Sequence, residues 1–293
     1  MHAPLNCTVL MSGVAFFDDT HPINPYMDAR LPVDRARAQA EHDAIRDAFT
    51  TAGIQVIQVA PPPDCQDGVY TANWALVRGD AAVLARLPNA RKGEEAYAER
   101  MLTKLGKRVV HVPKGLRFSG QGDALPCGDL LFAGQGYRAD AAAQTFAAHA
   151  LGFELIQLQT IPLLDTHGRP VINQSSGWAD SFFYDIDLAM AVLHAPANGE
   201  RGLIAWCPAA FMPESQKIMR ALTKVDKIEI SLKEAQEAFA CNLVSTGETV
   251  IMSDGAPHLK AALESRGFAV LTPDVQELLK GGGFIRCTSL SLA

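Results

Sequence analysis

Residues 35–59 read RARAQAEHDAIRDAFTTAGIQVIQV: an amphipathic stretch from Arg35 to Ala52, then Gly53, then a short run rich in β-branched residues. A helix stopped by a C′ glycine and continued as a strand accounts for that order. The unit returns four times. Tyr97 to Leu105 ends at Gly106 before KRVVHV, Ala141 to Leu151 ends at Gly152 before FELIQL, and Leu259 to Arg266 ends at Gly267 before FAVLTP. One more copy sets Ile218, Met219, Leu222 and Val225 at helical spacing and runs into KIEISL without the glycine. Five helix–strand units at intervals of roughly 40 to 75 residues fall on the scale of repeat architectures.

The segments after each strand carry polar residues at equivalent places. They read PPPDCQDGVYTAN (61–73), PKGLRFSGQGDAL (113–125), SFFYDIDLAM (181–190, beyond a loop), SLKEAQEAFACN (231–242) and TPDVQELLKGGGFIRC (272–287). Ser231 and Glu234 have the spacing of a capping box. In the last segment Thr272 suits a cap, Pro273 a first helical position and Gly281 a stop. If the five units close in a ring, Asp67, Asn73, Asp123, Asp185, Asp187, Asn242 and Cys287 converge on one axis. Three consecutive glycines lose much backbone entropy on folding, and here they read as a tight turn that brings Cys287 to that centre. An ordinary α/β sheet with carboxylates at its loop ends is the alternative.

Composition sets the background. The 293 residues are 48% hydrophobic and 20% charged, enough to bury a sizeable core in one large domain or two smaller ones. A net charge of −6 with 26 thinly spread Lys and Arg gives no nucleic-acid footprint. The first 17 residues lack the basic start of a secretory signal, and no apolar run approaches membrane-spanning length. Cysteines 7, 65, 127, 207, 241 and 287 include no C-x-x-C pair, which points to reduced thiols in a cytoplasmic protein and away from a zinc site or disulfide framework. A homodimer is the default assembly.

Seven short stretches, INPYMD (23–28), QDGVYTAN (66–73), NARKGEE (89–95), FSGQGDAL (118–125), GQGYR (134–138), FYDIDLAMAVL (183–193) and KGGGFIRC (280–287), resemble motifs of the guanidino-group-modifying enzymes. That superfamily includes arginine deiminase, dimethylarginine dimethylaminohydrolase and the amidinotransferases. The likeness is to the bacterial arginine-dihydrolase and dimethylargininase-like branch, and it runs in order from about residue 14 to the end. It implies an α/β fold of the five-bladed α/β-propeller (pentein) type, a single domain over 1–293, with no metal and no cofactor. It also implies an enzyme acting on carbon–nitrogen bonds of linear amidines, with a small guanidino or amidino substrate, by hydrolysis or amidino transfer.

The chemistry needs particular parts. A guanidinium is a planar cation of very high pKa whose carbon is a poor electrophile. Carboxylates can grip its N–H fork and leave one face of the carbon open. A thiolate adds to that carbon, an amine leaves, and water or an acceptor amine resolves the covalent thiouronium. By the resemblance Cys287 is the nucleophile, Asp67 and Asp187 are guanidinium clamps, Arg138 holds a substrate carboxylate, and Asn24 and Asn73 line the pocket.

Two positions depart from the family pattern. Ser119 stands where a glutamate is usual, and Asp185 where the general acid/base histidine is usual. Three readings fit. Asp185, with Asp187 two residues away on a strand and Asp123 nearby, retains a proton through like-charge repulsion and takes over as acid. Alternatively, the extra carboxylate and the small Ser119 mark an altered substrate, or the protein binds a ligand without turnover.

Other candidates have plainer readings. His111 ends a strand, His167 in DTHGRP is a turn residue, and His194 reaches the site only if its strand bends. Cys241 is packing. GQGYR is no phosphate loop, and LPNARKGEEAYAER is a solvated helix start in which Arg91 and Glu94 can pair.

Overall fold

The computed structural model describes residues 4–292. In chain order its elements are β1 (Thr8–Ser12), α1 (Arg35–Thr51), β2 (Gln55–Val59), β3 (Ala75–Arg78), β4 (Ala81–Leu84), α2 (Lys92–Lys104) and β5 (Arg108–His111). Then come β6 (Ala124–Cys127), β7 (Leu130–Gly134), α3 (Ala141–Leu151), β8 (Glu154–Leu158), β9 (Met190–His194), β10 (Gly202–Trp206), α4 (Pro213–Ala221) and β11 (Val225–Glu229). The last are α5 (Leu232–Glu237), β12 (Val244–Ser245), β13 (Thr249–Ile251), α6 (Pro257–Glu264), β14 (Ala269–Leu271) and β15 (Leu290–Ser291).

These strands form five three-stranded sheets, the blades of a five-bladed α/β-propeller. In the second, β3 pairs antiparallel with β4 (Leu76 opposite Val83), the chain crosses through α2, and β5 returns parallel to β4 (Ala82 opposite Val109). A parallel pair needs such a crossover, which is why a helix precedes the strand that returns parallel in each blade. Sheets β6-β7-β8, β9-β10-β11 and β12-β13-β14 repeat the arrangement. The first blade is built from both ends of the chain: β1 runs parallel to β2 and antiparallel to β15, with Leu10 opposite Leu290. Central strands β4, β7 and β10 are buried throughout, whereas β2 and β5 carry exposed positions.

The helix–strand units stand where the sequence reading puts them, and α3 ends in a left-handed Gly152 with φ +70°. Four details differ. Val225 opens β11 instead of extending α4, because its backbone pairs with Gly202 of β10. No α-helix follows Pro273, only a 3-10 turn over Leu278–Gly281. Ser231 Oγ accepts the Glu234 N–H at 3.1 Å, but the Glu234 carboxylate turns to the N–H groups of His258 and Leu259 at the start of α6. Arg91 and Glu94 are buried instead of solvated, although Lys92 and Gly93 between them are exposed. Among the described residues no helix is long and apolar enough to cross a membrane.

Candidate active site

The KGGGFIRC segment is packed tightly and forms no floppy tail. A Cβ on Gly281 or Gly283 would overlap Tyr70, and one on Gly282 would overlap Asn24, where φ is also +81°. Only glycine satisfies both demands at 282. Asn24 Nδ2 donates to the Gly281 carbonyl at 3.0 Å, and the Tyr70 and Tyr184 hydroxyls donate to the Leu278 and Gly282 carbonyls, each at 2.6 Å. The turn therefore presents Cys287 in one fixed pose.

Asn242 grips Cys287 from both sides. Its Oδ1 accepts the Cys287 N–H at 3.1 Å, and its Nδ2 donates to Sγ at 3.1 Å. On the other flank the thiol donates to Asp187 Oδ2 at 3.4 Å. The sulfur borders a cavity of about 10 Å³, walled among others by Asn24, Asp67, Tyr70, Asn73, Arg138 and Tyr184. That is the space of about one water, so a guanidine must displace part of the wall to enter. Residues 13–34, which supply Ile23 and Asn24, form an irregular segment held by Arg138 Nη2 donating to the Ile23 carbonyl.

Of the residues singled out in the sequence, Asn24, Asp67, Asn73, Arg138 and Cys287 meet at this cavity. Asp187 touches the sulfur from beside it. Asp185, Ser119 and Asp123 stand one layer back. Asp185 Oδ2 accepts from Asn73 Nδ2 at 2.7 Å, the same amide group lies 2.9 Å from Ser119 Oγ, and Asp123 Oδ1 accepts the Ile186 N–H at 3.0 Å. Asp185 and Asp187 also do not share a strand face. Asp185 caps a 3-10 turn over Ile186–Leu188, and Asp187 lies within it. His111 pairs with Glu99 at the surface, His167 sits in an exposed turn, and His194 stacks on Phe268 at the end of β9.

Sequence reasoning placed Asn242 on the axis without giving it a role, and did not assign Tyr70, Tyr184 or Arg91 to the site. Asn242 was legible as the polar residue after the fourth unit, at the place Asn73 takes after the first. Arg91 forms a two-pronged pair with Glu94 (2.8 and 2.7 Å) and donates to Asn73 Oδ1 at 2.9 Å. It thereby orients the amide facing the cavity. Arg91→Ala would strand Glu94 as a buried, unpaired charge, so an unfolding titration should show a loss of roughly 3–5 kcal/mol.

The site's electrostatics are lopsided. The buried groups acting on one another are the carboxyls of Asp67, Glu94, Asp123, Asp185 and Asp187 against the guanidiniums of Arg91, Arg138 and Arg286. Burial, opposed by Arg91, pushes Asp67 up to about 6. Burial and the charge of Asp185 hold Asp123 and Asp187 well above the usual carboxylate range, and burial raises Asp185. Burial and Asp187 likewise raise Cys287 well above an ordinary thiol. Such a centre keeps protons that the positive charge of an incoming cation would drive off.

Five blades around an axial thiol, ringed by excess carboxylate, define a guanidino-modifying pentein. The chain belongs to the dimethylarginine dimethylaminohydrolase family, hydrolases of carbon–nitrogen bonds in amidines: the family model described as N,N dimethylarginine dimethylhydrolase, eukaryotic, matches residues 15–292. It is 33% identical to the N(G),N(G)-dimethylarginine dimethylaminohydrolase of Mycobacterium tuberculosis over 96% of this chain and 84% of that protein. It is 32% identical to the bifunctional arginine dihydrolase/ornithine cyclodeaminase AgrE of Nostoc, covering 96% of this chain but 37% of that longer protein. Among solved structures, the N-terminal domain of the cyanobacterial arginine dihydrolase ArgZ, in a variant covalently bound to a reaction intermediate, superposes with TM-score 0.84 at 27% identity over 98% of this chain and 97% of that one.

Proposed function

We propose that this protein hydrolyses a carbon–nitrogen bond of arginine or an Nω-substituted arginine through a covalent thiouronium on Cys287. The observation that carries the reading is the thiol held between Asn242 and Asp187 at the end of a cavity with Asp67 on its wall and the buried carboxyls of Asp123, Asp185 and Asp187 beside and behind it. Asp67 and Asp187 grip the guanidinium. Arg138, stacked 4.7 Å over Tyr184, holds the substrate carboxylate. Sγ then bonds to the guanidino carbon, the carbon–nitrogen bond breaks, and the thiol proton, carried by Asp187, ends on the departing amine. Water displaces sulfur, giving a ureido product, the free thiol and one proton. The curated relatives named above are hydrolases, which favours water over an acceptor amine.

Asp185 standing where the resemblance calls for a histidine favours a second reading, a member that binds guanidines without turnover. Intact mass after quenching with arginine and dimethylarginine separates the two. An adduct on Cys287 supports the enzyme; binding with no adduct and no product overturns it.

Asp67 gives a paired prediction. Asp67→Asn removes a charge-assisted contact and should weaken guanidine binding by on the order of 2–5 kcal/mol, read by calorimetry. The same change should stabilise the ligand-free fold. A carboxylate raised to about 6 from 3.8 by burial opposes folding by up to roughly 3 kcal/mol. With the folded value raised, protonation favours the folded state, so the wild type carries this burden above pH 6 and sheds it as pH falls towards 4. The variant's advantage in unfolding free energy should therefore be full at pH 8 and absent near pH 4. Wild-type affinity for the cation should fall below pH 6.

A further inference from the structure

A second cavity, about 120 Å³, lies behind Asp187 on the side away from Cys287 and shares no wall residue with the first. Asp187 belongs to its wall, as do Cys241 and Arg286, the chain neighbours of Asn242 and Cys287. Most of the remaining wall comes from β6, β9, β15 and the segment before β1, including Pro126 and Val192. Asp187 thus has two faces. Its Oδ2 meets Cys287 Sγ at 3.4 Å, while its buried Oδ1 has no hydrogen-bond partner within the protein. Arg286 is buried with one amino group on the Ser289 carbonyl and the other on Gln121 Oε1, so it frames the cavity without closing an ion pair on Asp187 within 4 Å.

This arrangement matters because the front cavity has room for about one water. Once an arginine-like molecule fills the front, the second half-reaction still needs a water at the thiouronium carbon and an exit for one proton. We propose that the second cavity is a rear passage serving that step, through which water enters and the proton leaves past Asp187 while substrate or product plugs the front. The inference rests on the thiouronium reading of the preceding subsection. In the step served, an oxygen–carbon bond forms and the sulfur–carbon bond breaks. One water proton reprotonates the sulfur, and the second passes by Asp187 into the rear cavity. The volume suits several waters.

Val192→Phe and Pro126→Phe test it, because both positions are half-buried on the passage wall and neither is a hydrogen-bond partner of Cys287, Asn242 or Asp187. The probes are L-arginine and Nω,Nω-dimethyl-L-arginine, followed by rapid quench and intact mass. Blocking the passage should leave the rate of adduct formation on Cys287 within about twofold of wild type. Adduct decay should slow at least tenfold, so that the thiouronium accumulates and kcat falls without a rise in KM. Unchanged decay in both variants, or equal slowing of formation and decay, overturns the passage while leaving the Cys287 chemistry intact. A wild-type protein that never forms the adduct overturns the reading beneath it and the passage together.

Discussion

Cys287→Ser should hold an arginine-type ligand and not turn it over. The expected loss in kcat is on the order of 10⁴-fold or more, with affinity changed only a few-fold. Serine fits the space, and its hydroxyl can keep the Asn242 contact that sulfur makes at 3.1 Å. It cannot become an anion at this site. Burial and Asp187 already raise the thiol, and a hydroxyl starts far higher. The wild-type thiol becomes a nucleophile because a bound guanidinium supplies the missing positive charge. Its alkylation by iodoacetamide should therefore accelerate when a guanidine too small to cover it is bound. Steady-state kinetics beside calorimetry checks the first expectation, and timed alkylation the second. Full activity in Cys287→Ser would remove the covalent mechanism.

The repeat was legible because helix stops and strand starts are local events. Gly53, Gly106, Gly152 and Gly267 all adopt left-handed φ, as a C′ glycine should. The first strand of each hairpin was not legible. ALVR and ALPC lack polar alternation, and β15 is two residues long, so their strand character comes from the strands they pair with. The false helix after Pro273 has an identifiable cause. Glu41 on α1 accepts the N–H groups of Glu277 and Leu278 at 2.8–3.1 Å, so that segment is anchored by a neighbouring helix and forms only a single turn. Site residues within a motif could be named from sequence. Which of two neighbouring aspartates faces the sulfur could not, because D-I-D spacing fits a strand and a 3-10 turn equally well.

That ambiguity sets the last expectation. The sequence points to Asp185 as the acid, yet Asp187 is the carboxyl in contact with Sγ, and Asp185 is turned to Asn73 at 2.7 Å. Asp187→Asn should therefore lower kcat by roughly 10²–10⁴-fold, the usual value of a positioned acid/base, and weaken guanidine binding as well. Asp185→Asn should behave differently. An asparagine oxygen can still accept from Asn73, so the cavity wall persists and the rate should stay within about tenfold. Its effect should appear in the pH profile. The active complex needs one proton shared between Cys287 and Asp187, and the rate falls on the alkaline side when that proton is lost. The charge of Asp185 helps hold it, since that charge raises both Asp187 and Cys287. Removing the charge should move the alkaline limb of kcat to lower pH. The two variants should thus separate in kind: one loses the rate, the other shifts the limb. If Asp185→Asn loses the rate and Asp187→Asn keeps it, Asp185 does the missing histidine's work. If Asp185→Asn loses affinity with its chemistry intact, Asp185 is a third clamp, and the substrate carries more positive charge than arginine's guanidinium alone.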